Sequence, residues 1–169
     1  MKSQHDNPVR RPRKTRTAMA PKDTRTSTPR KTARALPIAL LRAREAVMSN
    51  FRPLVAEAGL TVQQWRVLRV LGEDGPLDPT QIAESSCILM PSLSRILRNL
   101  EDERFIRRAP HPDDKRRCLI SISAKARRRL LKFTPASNAI YDEMQKRYGN
   151  KRMRDLLIML EELAGQTKR

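Results

Sequence analysis

The chain has 169 residues and a formal net charge of +18, because 36 Lys or Arg face only 18 Asp or Glu. A positive excess on this scale attracts polyanions such as nucleic acids. Two cysteines and two histidines, with no CxxC or CxxH spacing, argue against a disulfide scaffold and a metal site. No apolar run reaches the length of a membrane span and no secretory leader is visible, so we expect no membrane partner and a reducing cytoplasm.

Residues 1–35 form a basic segment that is predicted to be a disordered arm. They hold eleven Lys or Arg and two Asp but no Leu, Ile, Phe, Tyr or Trp. The segment therefore cannot bury enough apolar surface to offset the entropy of ordering. Three interpretations stay open: a solvated tail without its own function, an arm that binds phosphates by counterion release, and a mitochondrial transit peptide.

Residues 36–58 have the spacing of an amphipathic helix, which Pro53 is expected to bend. The apolar face of this helix is predicted to comprise Leu40, Val47, Phe51, Leu54 and Ala58. Arg44 falls among them, and a guanidinium on an apolar stripe would leave buried donors without partners. We therefore expect Arg44 to meet an anion, either a protein carboxylate such as Glu45 or Glu57 of a partner helix, or a small-molecule carboxylate.

Residues 77–122 predict two short helices followed by a basic hairpin. Asp78 can cap the first helix, with Pro79 at its first position and Gln81 placed to close a capping box. Pro91 can begin the second helix, whose apolar stripe has the spacing i, i+3, i+4 and i+7 and consists of Leu93, Ile96, Leu97 and Leu100. Two helices joined by a tight turn in this way indicate a helix-turn-helix.

The hairpin that follows is predicted to be a wing. Apolar character returns at Phe105 and Ile106, residues 107–117 form a polar and basic tip with two prolines, and residues 118–123 have the composition of a return strand. Beyond it, residues 125–148 predict a helix with a kink at Pro135. A last helix then follows, with an apolar seam of Met153, Leu156, Leu157, Leu160, Leu163 and Ala164.

The long helices on both sides of the winged segment have no second core of their own to pack against. Their apolar faces are better buried against a second copy of the chain than within one chain, so we expect a homodimer. The predicted organisation is an arm at 1–35 and one domain at 36–169. Within the domain, dimerisation helices occupy 36–60 and 123–165, and the winged helix-turn-helix occupies 61–122.

At this point the chain resembles the multiple-antibiotic-resistance regulator (MarR) family of winged-helix transcription factors, over roughly residues 36 to 165. The resemblance lies in Leu100-Glu101, in the D-x-R tip at 114–116 and in the helix opening at 123–126. The strings at 40–46, 48–49, 51–53, 60–61, 63–66, 87–89 and 91–93 are most similar to those of repressors of homoprotocatechuate and related aromatic-acid catabolism. The family usually has glycine where this chain has Arg104, and a non-glycine residue in a left-handed turn costs about 1 kcal/mol.

The polar face of the second helix and the wing are the expected DNA-binding surfaces. Twofold-related recognition helices about 34 to 36 Å apart enter successive major grooves, which predicts a palindromic operator on double-stranded DNA. The candidate major-groove contacts are Ser92, Ser94, Arg95, Arg98 and Asn99. Arg116 is expected at the minor groove or its phosphates, and Arg107, Lys115 and Arg117 are expected to make phosphate contacts that do not depend on sequence. The resemblance supports Arg116 at the wing tip, with Asp114 orienting its guanidinium. DNA binding would place the protein on the bacterial nucleoid.

The resemblance also implies a small aromatic carboxylate that binds between the dimerisation helices and the winged region. A hydroxylated benzoate, phenylacetate or pyridine-carboxylate would match an aromatic wall beside a cation. The candidate ligand-binding residues are Arg44, Met48, Ser49, Phe51, Trp65, Arg66, Ile88 and Met90. The mechanism would be a population shift between separations of the two winged regions.

Two other functions remain open at this stage. Oxidation of Cys87 just before the recognition helix would make the protein a redox sensor, although its neighbours Ser86, Ile88 and Leu89 offer no cation to lower the thiol pKa. A nonspecific architectural protein would instead bind any duplex through the basic arm. The sequence has no nucleophile and base pair, phosphate loop or metal spacing, so we expect no enzyme, no catalytic residue and no cofactor.

Overall fold

The computed structural model describes residues 35–114 and 117–166, and within them the chain forms six helices and two strands. In chain order these are α1 Leu36–Glu57, α2 Val62–Asp74, α3 Pro79–Ser86, α4 Met90–Asp102, β1 Ile106–Pro110, β2 Cys118–Ile122, α5 Ala124–Tyr148 and α6 Asn150–Gln166. The predicted mainly α fold with a small β-wing is confirmed. The predicted arm at 1–35 lies outside the described residues except for Ala35.

Helices α2 and α3 both begin at capping boxes, so local sequence determines where they start. The Thr61 hydroxyl accepts from the Gln64 backbone N–H at 3.1 Å, and the Gln64 side chain accepts from the Thr61 backbone N–H at 2.8 Å. Asp78 and Gln81 make the same exchange at 2.9 and 3.0 Å, as predicted. Helix α3 ends at Cys87, whose left-handed φ of 50° turns the chain toward α4.

The predicted apolar stripe of α4 is buried, with exposures of 8% or less at Leu93, Ile96, Leu97 and Leu100. These side chains join one core with Leu68 and Leu71 of α2 and Ile82 of α3. Each large side chain buried here stabilises the fold by about 1.5–3 kcal/mol. Because the stripe faces this core, the opposite face of α4 is held at the surface.

Strands β1 and β2 form the predicted wing. They pair antiparallel, with a register that runs from Ile106 opposite Ile122 to Pro110 opposite Cys118. Leu77, just before α3, forms an isolated bridge with Ile120, with N–H to O distances of 3.1 and 2.8 Å. This bridge fixes the wing to the helix-turn-helix. Lys115 and Arg116 at the tip lie outside the described residues.

The exit from α4 into the wing passes through Arg104, which takes a left-handed φ of 58°, as the expected glycine position implied. The Ser123 hydroxyl donates to the Arg104 carbonyl at 2.8 Å, and the Lys125 ammonium donates to the Glu103 carbonyl at 2.7 Å. These contacts hold the turn in place despite its backbone strain.

The long helices that bracket the winged region pack against each other and against α2. Helix α1 contacts α5, where the Phe51 and Tyr141 rings lie 4.9 Å apart, and the Arg129 guanidinium donates to the Ala58 carbonyl at 2.5 Å. Pro53 and Pro135 lie inside helices that continue beyond them. The C-terminal half of the predicted α1 face is therefore buried in the single chain.

The outer parts of α1 and α6 leave apolar side chains without cover. Leu36, Leu40 and Leu41 on α1 are 38–54% exposed, and Leu40 belongs to the predicted apolar face. Leu157, Ile158 and Met159 on α6 are 52–57% exposed. Within residues 35–114 and 117–166, every helix is too short or too polar to span a bilayer.

Candidate nucleic-acid interface and ligand cavity

The surface of α4 carries the polar residues singled out in the sequence. The structure places all five of them on the exposed face, opposite the buried stripe: Ser92, Ser94, Arg95, Arg98 and Asn99. One helix therefore presents two cations and three hydrogen-bonding side chains along a single surface, a set able to bond phosphate oxygens and base edges.

Local hydrogen bonds restrain some of these side chains and leave others open. The Ser94 hydroxyl donates to the Met90 carbonyl at 3.0 Å, and Arg98 Nε donates to the Ser94 carbonyl at 3.4 Å. Within residues 35–114 and 117–166, no hydrogen bond or ion pair engages the side chain of Arg95. Its guanidinium is therefore available to an external anion or base.

The wing is tied to α3 through a pair that the sequence analysis did not anticipate. Arg117, expected to contact phosphate, instead directs its guanidinium to the Asp78 carboxylate in the described chain. Asp78 is only 12% exposed at its side chain. The Gln81 backbone N–H, and then Arg117, hold the pKa of Asp78 below its usual range. Arg117 thus joins the tip end of the wing to the cap of α3.

A further ion pair joins β1 to the end of α4, where Arg108 Nε lies 2.7 Å from Glu101. Arg107, the next residue along β1 and an expected DNA contact, is exposed. It lines a basic surface cleft with Arg104, Lys125 and Arg128. The expected pairing of Asp114 with Arg116 involves a residue outside the described part of the chain.

A cavity of about 320 Å³ lies between α1, α2 and α5. Four of the expected ligand residues line it: Met48, Phe51, Trp65 and Arg66. The remaining lining residues are Val47, Val55, Val62, Arg69, Val70, Glu73, Ser137 and Tyr141. Trp65 stands edge-on to Phe133 with ring centroids 6.4 Å apart, which fixes the aromatic wall of the cavity.

Two arginines of α2 supply positive charge to this cavity. Arg66 donates to the Ser86 carbonyl at 2.9 Å, which uses one of its five donors and orients the guanidinium. Arg69 lies 2.5 Å from Glu73. Sequence reasoning missed Arg69, although its position three and four residues after Arg66 and Trp65 is the helical spacing that would have found it. Ser137 and Tyr141 were also missed, although they are four residues apart on α5 and so share one face of that helix.

The other expected ligand residues lie elsewhere in the single chain. Ile88 is 7% exposed within the core, Met90 is 43% exposed at the start of α4, and the Ser49 hydroxyl donates to the Ala46 carbonyl at 2.8 Å. None of these three residues, nor Arg44, lines the cavity described above. Only part of the expected set is therefore assembled by this fold.

Arg44 differs from the expectation of a buried guanidinium. Its side chain is 52% exposed and lies 2.8 Å from Glu45, which also pairs with Arg52. These guanidiniums, Arg52 first, hold the pKa of Glu45 below its usual range. The helical stripe that contains Arg44 is exposed at this point because α1 extends beyond the helices that cover its other end.

A second and larger cavity, of about 650 Å³, opens between α1, α5 and α6. Its walls are mainly apolar and comprise Ala43, Ala46, Val47, Asn50, Ala139, Ile140, Glu143, Met144, Arg147, Tyr148, Met153 and Leu156. It adjoins the exposed apolar side chains of α1 and α6. An amphipathic stripe alone cannot distinguish such a gap from a closed core, and sequence analysis did not predict it.

The two cysteines are free thiols. Cys87 is exposed, and its Sγ lies 3.7 Å from the Glu84 carbonyl oxygen. Cys118 is partly buried. In the described ranges, no cluster of three or more His, Cys, Asp or Glu is arranged to hold a metal ion.

Comparison with known proteins places this architecture among transcriptional regulators. The MarR family model matches residues 60–118. The chain is 36% identical over 127 residues to the HTH-type transcriptional regulator FarR of Neisseria gonorrhoeae, covering 75% of this chain and 87% of that protein. It is also 36% identical over 128 residues to the homoprotocatechuate degradative operon repressor of Escherichia coli, covering 76% and 86% of the two chains.

A solved structure shares the whole arrangement. The crystal structure of NadR in complex with 4-hydroxyphenylacetate superposes with a TM-score of 0.72 at 34% sequence identity. The match covers 81% of this chain and 97% of the NadR chain. The similarity therefore extends over the long helices as well as the winged region.

Proposed function

Since the chain belongs to the MarR family of DNA-binding transcriptional regulators, which are not enzymes, we propose that it is a dimeric repressor released from a palindromic operator by a small aromatic carboxylate. The observation that carries this proposal is the exposed face of α4, where an unengaged Arg95 lies among polar side chains beside a basic wing. We assign DNA binding to residues 61–122 and dimerisation to residues 36–60 and 123–165.

DNA recognition would divide between base edges and phosphates. Arg95, Arg98 and Asn99 are suited to the major groove, because guanidinium and amide groups bond purine edges in a bidentate manner. Ser92, Ser94 and Arg107 would bond phosphates, as would Lys115 and Arg116 at the wing tip, and the basic arm would add contacts that do not depend on sequence. We propose that Arg117 positions the wing through Asp78 in addition to any phosphate contact.

Dimerisation would use the uncovered faces of α1 and α6. Their exposed leucines and the apolar 650 Å³ cavity between α1, α5 and α6 form one surface that a helix of a second copy can fill. A twofold axis through this surface would place two α4 helices on successive major grooves. In such a dimer the Arg44 side chains of both subunits would lie near the interface.

The effector would bind in the 320 Å³ cavity, whose size is near the lower end of small-molecule sites. Trp65 and Phe51 can enclose a flat ring, while Arg66 and Arg69 can bond its carboxylate. The NadR complex contains 4-hydroxyphenylacetate, a ring with a hydroxyl and a carboxylate, and the E. coli relative represses a homoprotocatechuate degradative operon. Both names support the same class of ligand for this chain.

Ligand and DNA would each favour a different arrangement of the winged region on the dimerisation helices, so that binding of one weakens binding of the other. The cavity lies between α1 and α5 on one side and α2 on the other, so a ligand there sets how the winged region sits on the dimerisation helices. A hundredfold loss of operator affinity needs a coupling free energy of only about 2.8 kcal/mol. One charge-assisted hydrogen bond and one buried ring can supply this amount if they form in only one of the two arrangements.

The test is a titration of selected operator duplexes with and without a panel of aromatic acids. Operators are first obtained by in vitro selection from random duplexes, and unrelated duplexes serve as competitors. We expect a palindromic consensus, a preference of at least about a thousandfold over random DNA, and release by hydroxyphenylacetates or hydroxybenzoates. Equal affinity for every duplex would instead support an architectural protein, and operator affinity insensitive to every acid would remove the effector from the proposal.

A further inference from the structure

Leu89 is an exposed apolar side chain at the N-terminal end of α4, the helix that is proposed to enter the DNA major groove. It is 80% exposed, more than any other large hydrophobic residue in the described part of the chain. Its neighbours in the fold behave differently, since Ile88 is 7% and Leu93 0% exposed. Leu89 lines neither the 320 Å³ nor the 650 Å³ cavity.

The backbone on both sides holds Leu89 in a fixed position. Before it, the Cys87 and Ile88 backbone N–H groups donate to carbonyls of α3 at 3.2 and 3.0 Å. Leu89 itself is the N-cap residue of α4 with an extended ψ of 140°, and its carbonyl accepts from the Leu93 N–H at 2.9 Å. Pro91 then restricts the first turn. The side chain is therefore presented by a rigid turn rather than by a mobile loop.

The place of Leu89 in the fold determines what it can meet. In helix-turn-helix proteins the N-terminal residues of the second helix approach base edges in the major groove. A leucine cannot bond phosphate or base nitrogen and oxygen atoms. The C5-methyl group of thymine is the apolar group that the bases present in this groove.

We propose that Leu89 is a specificity-determining residue that contacts a thymine methyl group in each operator half-site. This inference rests on the proposed DNA-binding function and extends it to a residue outside the polar set on α4. Leu89 would select thymine by shape and desolvation, and the polar side chains Arg95 and Asn99 would read hydrogen-bonding edges. The half-site is therefore expected to contain a thymine whose recognition does not depend on any charged side chain.

The experiment uses the full-length chain and a selected operator in which single thymines are replaced by uracil, which pairs identically but lacks the methyl group. For the unsubstituted protein, replacing thymine by uracil at one position in each half-site should lower operator affinity about fourfold, the contribution of one buried methyl group. Leu89→Ala should bind the thymine operator more weakly by at least that factor. It should also bind thymine and uracil operators equally at that position.

A matched control is Leu131→Ala, which removes a 65% exposed leucine from α5 and should retain the full preference for thymine. Leu89→Ala should also keep the salt dependence of binding, because no phosphate contact is removed. The inference is overturned if Leu89→Ala still distinguishes thymine from uracil, or if no single uracil weakens the unsubstituted protein. Failure of the proposed function is visible separately, as the absence of any preferred duplex for the unsubstituted protein.

Discussion

Asp78 stabilises two parts of the molecule with one carboxylate. One oxygen accepts from the Gln81 backbone N–H at 2.9 Å and caps α3, and the other faces the Arg117 guanidinium at the tip end of the wing. The two interactions have different chemical requirements, because a cap needs an oxygen acceptor whereas an ion pair needs a charge. Substitutions at this position can therefore separate helix capping from wing positioning.

We expect Asp78→Asn to keep the cap and lose the ion pair, while Asp78→Ala loses both. The thermal midpoint should fall by a few degrees less for Asn than for Ala, since Asn is as good an N-cap as Asp. Operator affinity should fall in both variants, because the wing loses its anchor. Calorimetry and operator titration measure the two effects, and equal midpoints for the two variants would contradict the division of roles.

The same carboxylate predicts a dependence of stability on pH. The pKa of Asp78 is held below its ordinary value of 3.8 in the folded chain, so the carboxylate stabilises the fold above that value. This contribution is lost as the pH falls through the lowered pKa. The difference in thermal midpoint between the unsubstituted protein and Asp78→Asn should be constant near neutral pH and shrink below about pH 4. A difference that grows on acidification would contradict the assignment.

Arg104 offers a second prediction at the level of one residue. Its left-handed φ of 58° favours glycine, so Arg104→Gly should relieve strain of about 1 kcal/mol, less the entropy that glycine adds to the unfolded chain. We expect a net gain of about 0.5 kcal/mol in the free energy of unfolding. Glu103→Gly, at a neighbouring φ of −77°, is the matched control and should be destabilising. Urea denaturation distinguishes the two signs.

Among the elements, α2 carries two chemically different faces. Val67, Leu68 and Leu71 are fully buried in the core, whereas Trp65 and Arg66 line the 320 Å³ cavity. Helix α4 is divided in the same manner between its buried stripe and its exposed polar face. The proposed ligand-binding and DNA-binding sites thus lie on separate faces of helices that share one core, and we expect that each activity can be removed without the other.

This separation can be tested with one variant in each helix. Arg66→Gln should lower the affinity for an aromatic acid by tenfold or more, because a charge-assisted hydrogen bond contributes about 1.5–3 kcal/mol. The affinity for the operator in the absence of ligand should be retained. Arg95→Gln should lower the affinity for the operator and leave unchanged the shift in thermal midpoint that the acid causes. Loss of both activities in either variant would mean that the two sites are not separable.

The whole molecule, described as a single chain, leaves apolar surface that a monomer rarely exposes. The exposed leucines of α1 and α6 and the adjoining 650 Å³ cavity lie at the same end of the fold, away from the core around α2, α3 and α4. Larger contiguous apolar patches mark interaction sites in stable proteins. A second copy is the partner that the proposed palindromic operator requires.

We expect Leu157→Asp to disrupt association without unfolding the subunit, since this side chain is 52% exposed on α6. Light scattering should report a monomer at concentrations where the unsubstituted protein is a dimer. Operator affinity should fall steeply because one half-site is lost, while Glu161→Ala on the same helix should change neither property. A dimeric Leu157→Asp protein would show that α6 is not in the interface.

Much of this architecture could be predicted from local patterns. The capping box at Asp78 and Gln81 and the buried stripe of α4 follow from residues three or four positions apart, because helix caps and helical faces are short-range properties. The left-handed Arg104 followed from the glycine that the family has at this turn. Arg69 and Tyr141 were within reach of the same periodicity but were not identified, since an arginine and a tyrosine on a helix are usually solvated.

The amino-acid sequence by itself determined the helices, their polar and apolar faces, the helix-turn-helix and the wing, because these depend on residue spacing within each element and on short connections between neighbouring elements. Tertiary structure alone decided that Arg117 meets Asp78 across 39 residues, that the Arg44 side chain is exposed, and that Arg69, Ser137 and Tyr141 join Trp65 and Arg66 around one cavity. Such contacts depend on how helices cross and how far each extends beyond its neighbours, and residue spacing does not encode that geometry.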